Sequence, residues 1–178
     1  LDLVDYDRAT REGYRRVNAL FADTLAPLVR DDDIVWVHDY HLIPLAALLR
    51  ERGVTCRIGF FLHTPWPTRV VIGGVPNHRE LIEAMLAYDL IGFQTEEDCE
   101  NFLSYAENDL GLVVRGGVVH SHHGRTRASV FPIGIDPSGH VVLLYIATVP
   151  WTDDFRTFLV GHTALLRVTP AWTLRLVF

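Results

Sequence analysis

Ile34-Val35-Trp36-Val37-His38-Asp39-Tyr40-His41-Leu42 and, further on, Ile58-Gly59-Phe60-Phe61-Leu62-His63-Thr64-Pro65-Trp66-Pro67 decide the fold. Residues 34–37 and 58–62 are short apolar runs rich in β-branched or aromatic side chains, as strands buried on both faces require. Each run stops at a polar residue, His38-Asp39 after the first and His63 after the second. Residues 42–52 between them have helix-forming composition and end at Gly53, suited to a C′ position. Strand, helix and strand over this length predict a parallel βαβ unit. Ligands of open α/β sheets bind beyond the carboxyl ends of the strands, so Asp39 and His63 are expected where chemistry takes place.

Composition narrows the class. A chain of 178 residues with 49% hydrophobic content can bury one good core, so one main domain is expected. The formal net charge of −6 argues against a nucleic-acid partner, because phosphate contacts need a basic face. All 16 basic residues are arginine, so neither Schiff-base chemistry nor a P-loop lysine can be built from this sequence. Cys56 and Cys99 form no C-x-x-C pair, which predicts cytosolic thiols and a cytoplasmic protein rather than a disulfide or a structural zinc. No apolar run approaches the ~20 residues of a spanning helix, and no membrane partner is expected. No signal-peptide pattern opens the chain, and its one methionine is Met85, so a piece of a longer protein is expected.

Outward from the central unit, residues 7–28 predict an amphipathic helix with Tyr14, Val17, Leu20, Phe21, Leu25 and Leu28 inward. Asp31-Asp32-Asp33 reads as a solvated turn, since three adjacent carboxylates cannot all converge on a metal. Pro65 and Pro67 predict a loop that continues through Gly73-Gly74 and Pro76. A helix is expected over 79–87 and a strand over 90–93. Thr95 and Asp98 form a capping-box-like opening to a helix over 96–108. Residues 112–120 and 126–132 predict two strands around the histidine-rich excursion 120–124, with Gly116-Gly117 as a turn. Beyond 138, residues 141–147 read as a strand, 152–168 as a helix and 174–178 as a strand.

Several residue clusters invite sharper readings. His120 and His122 share a strand face, but no third or fourth ligand at metal spacing accompanies them, so a solvated hairpin tip is expected and no metal site. His38 and His41 are read as packing and supporting residues around Asp39. Tyr40 and Trp66 are aromatic faces that a sugar can stack on, with core packing as the default. Asp39 has a competing structural reading as a carboxylate capping the helix that follows it.

Residues 36–42 and 59–67, with Tyr88-Asp89-Leu90-Ile91-Gly92-Phe93-Gln94-Thr95 and Phe131-Pro132-Ile133-Gly134-Ile135-Asp136, resemble glycosyltransferase family 20, the GT-B enzymes that make trehalose 6-phosphate. The resemblance covers residues 1–137. It implies an α/β fold with a Rossmann-like doubly wound parallel sheet over 1–137, the acceptor-side domain of a GT-B enzyme. Residues 138–178 would then be a divergent or truncated start of the second domain. The implied reaction moves glucose from UDP-glucose to glucose 6-phosphate with retained anomeric configuration, without metal or cofactor. By the same resemblance Asp39 holds glucose 6-phosphate, and His63 reaches the donor glucose near the reacting carbon.

Laid without gaps, Thr148 and Asp153 stand where the family keeps an arginine and a lysine on the donor diphosphate, and the family's glycine loop is expected upstream. Little or no transfer by this chain alone is therefore expected. Two alternatives stay open. One is a pseudo-glycosyltransferase joining cyclitol units, of the validoxylamine phosphate type. The other is a non-catalytic sugar-phosphate-binding or regulatory module. Homo-oligomer formation also stays open.

Overall fold

The structure is a computed structural model that describes residues 8–132, with the backbone of Leu165–Val168 and Leu174–Val177. Helix α1 spans Arg8–Leu25 and runs into a 3-10 turn at Ala26–Leu28. Strand β1 is Ile34–His38, α2 is Leu45–Glu51 and β2 is Arg57–Phe61. After them come α3 (Arg69–Ile72), α4 (His78–Met85), β3 (Leu90–Phe93) and α5 (Glu96–Asn108). The described run closes with β4 (Val113–Arg115), β5 (Val118–Ser121) and β6 (Gly124–Val130). Leu165–Val168 and Leu174–Val177 are β7 and β8.

The sheet order is β4-β5-β6-β3-β2-β1-β7-β8. Strands β1, β2, β3 and β6 are mutually parallel, whereas β4, β5, β7 and β8 join antiparallel at the two edges. The parallel steps β1 to β2, β2 to β3 and β3 to β6 all move the same way across the sheet. Right-handed crossovers then lay the connecting helices on a single face. Alternation along the strands puts Val35, Val37, Ile58, Phe60, Ile91 and Phe93 on that face. They share one buried core with Leu45 and Leu49 of α2, Ile82 and Met85 of α4, and Phe102 and Tyr105 of α5.

The other face pairs aromatic rings with glycines across the strands. Trp36 lies over Gly59, where an added Cβ would come within 2.4 Å of the indole. Phe61 and Phe131 close in the same way on Gly92, at 2.6 and 2.9 Å. Glycine at these two positions is demanded by the close approach of the rings.

The predicted βαβ unit is present, and its helix ends as expected. Gly53 adopts φ +81°, its N–H donates to Arg50 O and the Val54 N–H donates to Leu49 O, a Schellman closure that satisfies two terminal carbonyls. The strand over 90–93 and the capped helix over 96–108 form as predicted.

Several expectations are corrected. The helix of residues 42–52 begins later, because a 3-10 turn at Tyr40–Leu42 precedes α2. The loop after Pro67 contains the one-turn helix α3. Residues 112–120 are two strands rather than one, because Gly116 and Gly117, both at positive φ, fold β4 back on β5. Asp33 is buried, not solvated, and its Oδ2 accepts the Arg30 N–H at 2.8 Å.

Helix α1 follows its predicted orientation at Tyr14 and Leu25 but not at its other apolar positions. Asn18, Ala22 and Leu25 are buried, while Val17, Leu20, Phe21 and Leu28 are 41–64% exposed. Small Ala22 permits close packing, and Asn18 makes inward hydrogen bonds that an apolar pattern does not weigh. At its carboxyl end the helix predicted over 152–168 is replaced by the extended segment β7, and β8 matches most of the strand predicted over 174–178. The strand predicted over 141–147, with Thr148 and Asp153, lies outside the described residues.

Candidate functional site

The site begins where β1 ends. The Asp39 N–H donates to Phe61 O at 2.9 Å, which carries the β1–β2 ladder one step past the end of β1. The backbone then turns through φ 63° and ψ 164° at Asp39. That conformation is rare for any residue but glycine, and it costs about 1–3 kcal/mol that surrounding contacts must offset.

Those contacts are visible in the next three residues. The Tyr14 hydroxyl donates to Tyr40 O at 2.7 Å, Asn18 Nδ2 to His41 O at 3.0 Å, and the Tyr88 hydroxyl to Leu42 O at 2.9 Å. Each carbonyl of the Tyr40–Leu42 turn is therefore held by a side chain from a different position in the fold. Burial raises the pKa of both phenols above the ordinary tyrosine range, so they remain donors at neutral pH.

His63 arrives from the neighbouring strand. Its backbone N–H donates to Asp39 Oδ1 at 3.1 Å. The Asp39 side chain therefore bonds across to the β2 loop and makes no capping bond to its own turn, which removes the helix-cap reading. The His63 ring packs edge-on to Phe61 at 4.7 Å and lies nearly parallel to His38, their centroids 5.2 Å apart. His38 Nδ1 and His63 Nε2 are hydrogen-bonded at 2.9 Å. Burial, with the neighbouring His63 next and Asp39 opposing, lowers the His38 pKa to about 4, so this ring is neutral at physiological pH.

The loop beyond His63 is tied down at Trp66. The Trp66 N–H donates to Asp98 Oδ1 at 2.7 Å, and Asp98 Oδ2 accepts the Thr95 hydroxyl at 2.7 Å. The Asp98 N–H in turn donates to Thr95 Oγ1, the N-cap of α5. Thr95 and Asp98 were legible as a cap; their hold on the loop carrying His63 was not, because Trp66 is 32 residues away in sequence.

Asp39 and His63, predicted to face one site, are joined directly. Tyr40 is half exposed, and its ring stacks on His41 with centroids 4.1 Å apart. Trp66 is 5% exposed and packs edge-on to Phe93 and Phe102, so it is a core residue and not a stacking platform. His38 was read as a packing and supporting residue around Asp39, and its hydrogen bond to His63 is a contact that the sequence reading did not foresee. The signal available was only that both histidines follow paired strands. A groove of about 1120 Å³ runs along α1, α2 and α4, lined by Arg11, Tyr14, Leu48, Glu80 and His123 among others; neither Asp39 nor His63 lines it. Among the described residues no helix is long and apolar enough to cross a membrane.

The sequence model of the family described as Glycosyltransferase family 20 matches residues 2–142. Trehalose-6-phosphate synthase of Citrobacter koseri is 52% identical over 138 residues, covering 77% of this chain and 29% of that protein. The synthase of an Enterobacter species is 51% identical over the same shares. A Burkholderia xenovorans alpha,alpha-trehalose-phosphate synthase (UDP-forming), solved in complex with glucose-6-phosphate, superposes with a TM-score of 0.71 at 50% identity, over 75% of this chain and 30% of that one. An E. coli structure bound with UDP-2-fluoro glucose gives 0.74 at 48% identity, over 78% and 31%. The chain thus spans less than a third of the length of the relatives it matches.

Proposed function

This chain belongs to glycosyltransferase family 20, and we propose that it is the acceptor-side part of a retaining glucosyltransferase that moves glucose from UDP-glucose to glucose 6-phosphate, forming trehalose 6-phosphate. The observation that carries the reading is the direct link between Asp39 and His63 at the carboxyl ends of adjacent parallel strands. Two relatives at about half identity support it, one solved with glucose-6-phosphate and the other with UDP-2-fluoro glucose.

In this proposal Asp39 binds the acceptor sugar. An ionised carboxylate only accepts, and sugar hydroxyls donate. The His63 N–H occupies Oδ1, and among the described residues no group donates to Oδ2, which leaves that oxygen for a hydroxyl. His63 meets the donor glucose near its reacting carbon, and Tyr40, half exposed beside Asp39, closes the acceptor side. Catalysis in such a site comes from positioning the two sugars and stabilising the departing diphosphate. We assign residues 1–137 to the acceptor-side domain and 138–178 to a divergent start of the second domain, of which β7 and β8 lie along the β1 edge of the first domain's sheet, and we assign the protein to the cytoplasm. The cations that the diphosphate needs belong to the donor half. One missing group of that kind costs ~2.7–4 kcal/mol, so this chain alone transfers slowly or not at all.

Isothermal titration calorimetry tests the reading. Glucose 6-phosphate binds the chain, and Asp39→Ala weakens that binding at least about tenfold, or roughly 1.4 kcal/mol. Equal affinity in both proteins would remove Asp39 from the acceptor site, and no binding of glucose 6-phosphate would remove the proposal.

A further inference from the structure

Consecutive residues at the end of β1 grip His63 in two different ways. Asp39 takes its backbone N–H, and His38 takes one nitrogen of its ring. We propose that His38 is a positioning residue that holds His63 in the neutral Nδ1–H tautomer, so that the ring presents a hydrogen-bond donor, and no basic nitrogen, to whatever occupies the site.

The protons of the two rings decide the tautomer. The two rings meet through His38 Nδ1 and His63 Nε2 at 2.9 Å, so one of these atoms carries the proton and the other the lone pair. His38 is enclosed by Trp36, edge-on at 5.6 Å, and by Phe61 at 6.4 Å. Its far nitrogen, Nε2, is buried with no hydrogen-bond partner among the described residues. With the His38 proton on Nε2, a buried N–H is left unpaired, which is the rarer orphan in folded proteins and costs the desolvation of a donor. With it on Nδ1, the proton is used in the bond to His63, and only a lone pair is left in the apolar surroundings. The second arrangement is favoured.

His63 Nε2 must then accept, which leaves the proton of a neutral His63 on Nδ1. Among the described residues nothing bonds that nitrogen, and the residue is exposed. His63 therefore offers an N–H and cannot act as a general base through Nε2. In the transfer reading proposed above, on which this use rests, the N–H would meet an oxygen of a sugar or of the departing phosphate. The tautomer itself follows from this chain's geometry alone.

Histidine-selective 15N labelling and long-range 1H–15N correlation spectra of the ligand-free chain at neutral pH test the proposal. Signals are assigned by their loss in His63→Gln and His38→Asn. The expected spectrum shows both His38 and His63 as Nδ1–H tautomers, against the Nε2–H preference of a free imidazole. His38→Asn, whose amide N–H takes the place of Nδ1–H, keeps His63 as Nδ1–H. His38→Leu releases it to the Nε2–H form. An Nε2–H signature for His63 in the unmodified chain overturns the proposal, and so does an unchanged His63 in a folded His38→Leu. Should His38→Leu fail to fold, the unmodified spectrum and the asparagine variant still decide. Because no ligand is present, the outcome is separate from the calorimetric test of glucose 6-phosphate binding.

Discussion

The carboxylate of Asp98, buried in the first turn of α5, accepts the Trp66 N–H at 2.7 Å and so anchors the loop leading away from His63 to the helix that follows β3. Its second oxygen takes the Thr95 hydroxyl at 2.7 Å. Asp98→Ala leaves the buried Trp66 backbone N–H and the Thr95 hydroxyl without their acceptor, while the Asp98 N–H still caps the helix on Thr95 Oγ1, so a loss of about 2–3 kcal/mol in urea unfolding is expected. Asp98→Asn retains an acceptor and loses less.

Asp39 stands in a backbone region suited to glycine, at φ 63°. Asp39→Gly relieves that strain while removing the carboxylate, whereas Asp39→Ala removes the carboxylate and keeps the strain. The glycine variant is expected to be at least about 1 kcal/mol more stable than the alanine variant, although both lose acceptor binding. Paired denaturation curves decide this, and equal midpoints would show that the turn is not strained.

The glycines under aromatic rings predict an inverted substitution effect. Alanine in place of glycine ordinarily helps a strand interior by about 0.5–1 kcal/mol. At Gly92 the new methyl meets Phe61 and Phe131, and at Gly59 it meets Trp36, so overpacking of about 1–3 kcal/mol is expected instead. Thermal unfolding of the two alanine variants is the check.

His38 predicts a pH dependence. Its folded pKa, about 4, lies below the unfolded value of 6.5, mainly through burial. Above pH 6.5 the ring is neutral in both states and contributes no pH dependence. As pH falls from 6.5 to 4, the unfolded chain binds a proton that the folded one refuses, and stability declines by about 2–3 kcal/mol after allowance for the partly exposed ring. Below pH 4 this contribution is flat. Denaturation midpoints across that window should fall less steeply for His38→Asn than for the unmodified protein.

Helix α1 separates apolar pattern from packing. Leu20 is 64% exposed, so Leu20→Ala is expected to change stability by no more than about 0.5 kcal/mol. Asn18→Ala removes a buried amide that holds His41 O and Tyr14 O and is expected to cost about 1–2 kcal/mol. The larger effect at the polar residue, measured by chemical denaturation, is the distinguishing result.

Much of the architecture was readable because its signals are local. Apolar runs at 34–37, 58–62 and 90–93, the glycine at 53 and the Thr95 cap each depend on side chains within one turn or strand of each other. The tight turn at Gly116-Gly117 was readable too, but not the strand on each side of it, since Val113–Arg115 and Val118–Ser121 are too short to carry a period. The inward face of α1 was misread in part because, beside the expected Leu25, its buried stripe is made by an asparagine and an alanine, whose place is set by partners rather than by hydropathy.

The sequence by itself determined that Asp39 and His63 each follow a short buried strand, because apolar runs closed by polar residues need no knowledge of the rest of the chain. Only the tertiary structure decided that His63 is held by both His38 and Asp39, and that Asp98 anchors its loop. Those contacts join residues 24 to 32 positions apart, and such distances are bridged by the register of the sheet, which no local pattern of side chains encodes.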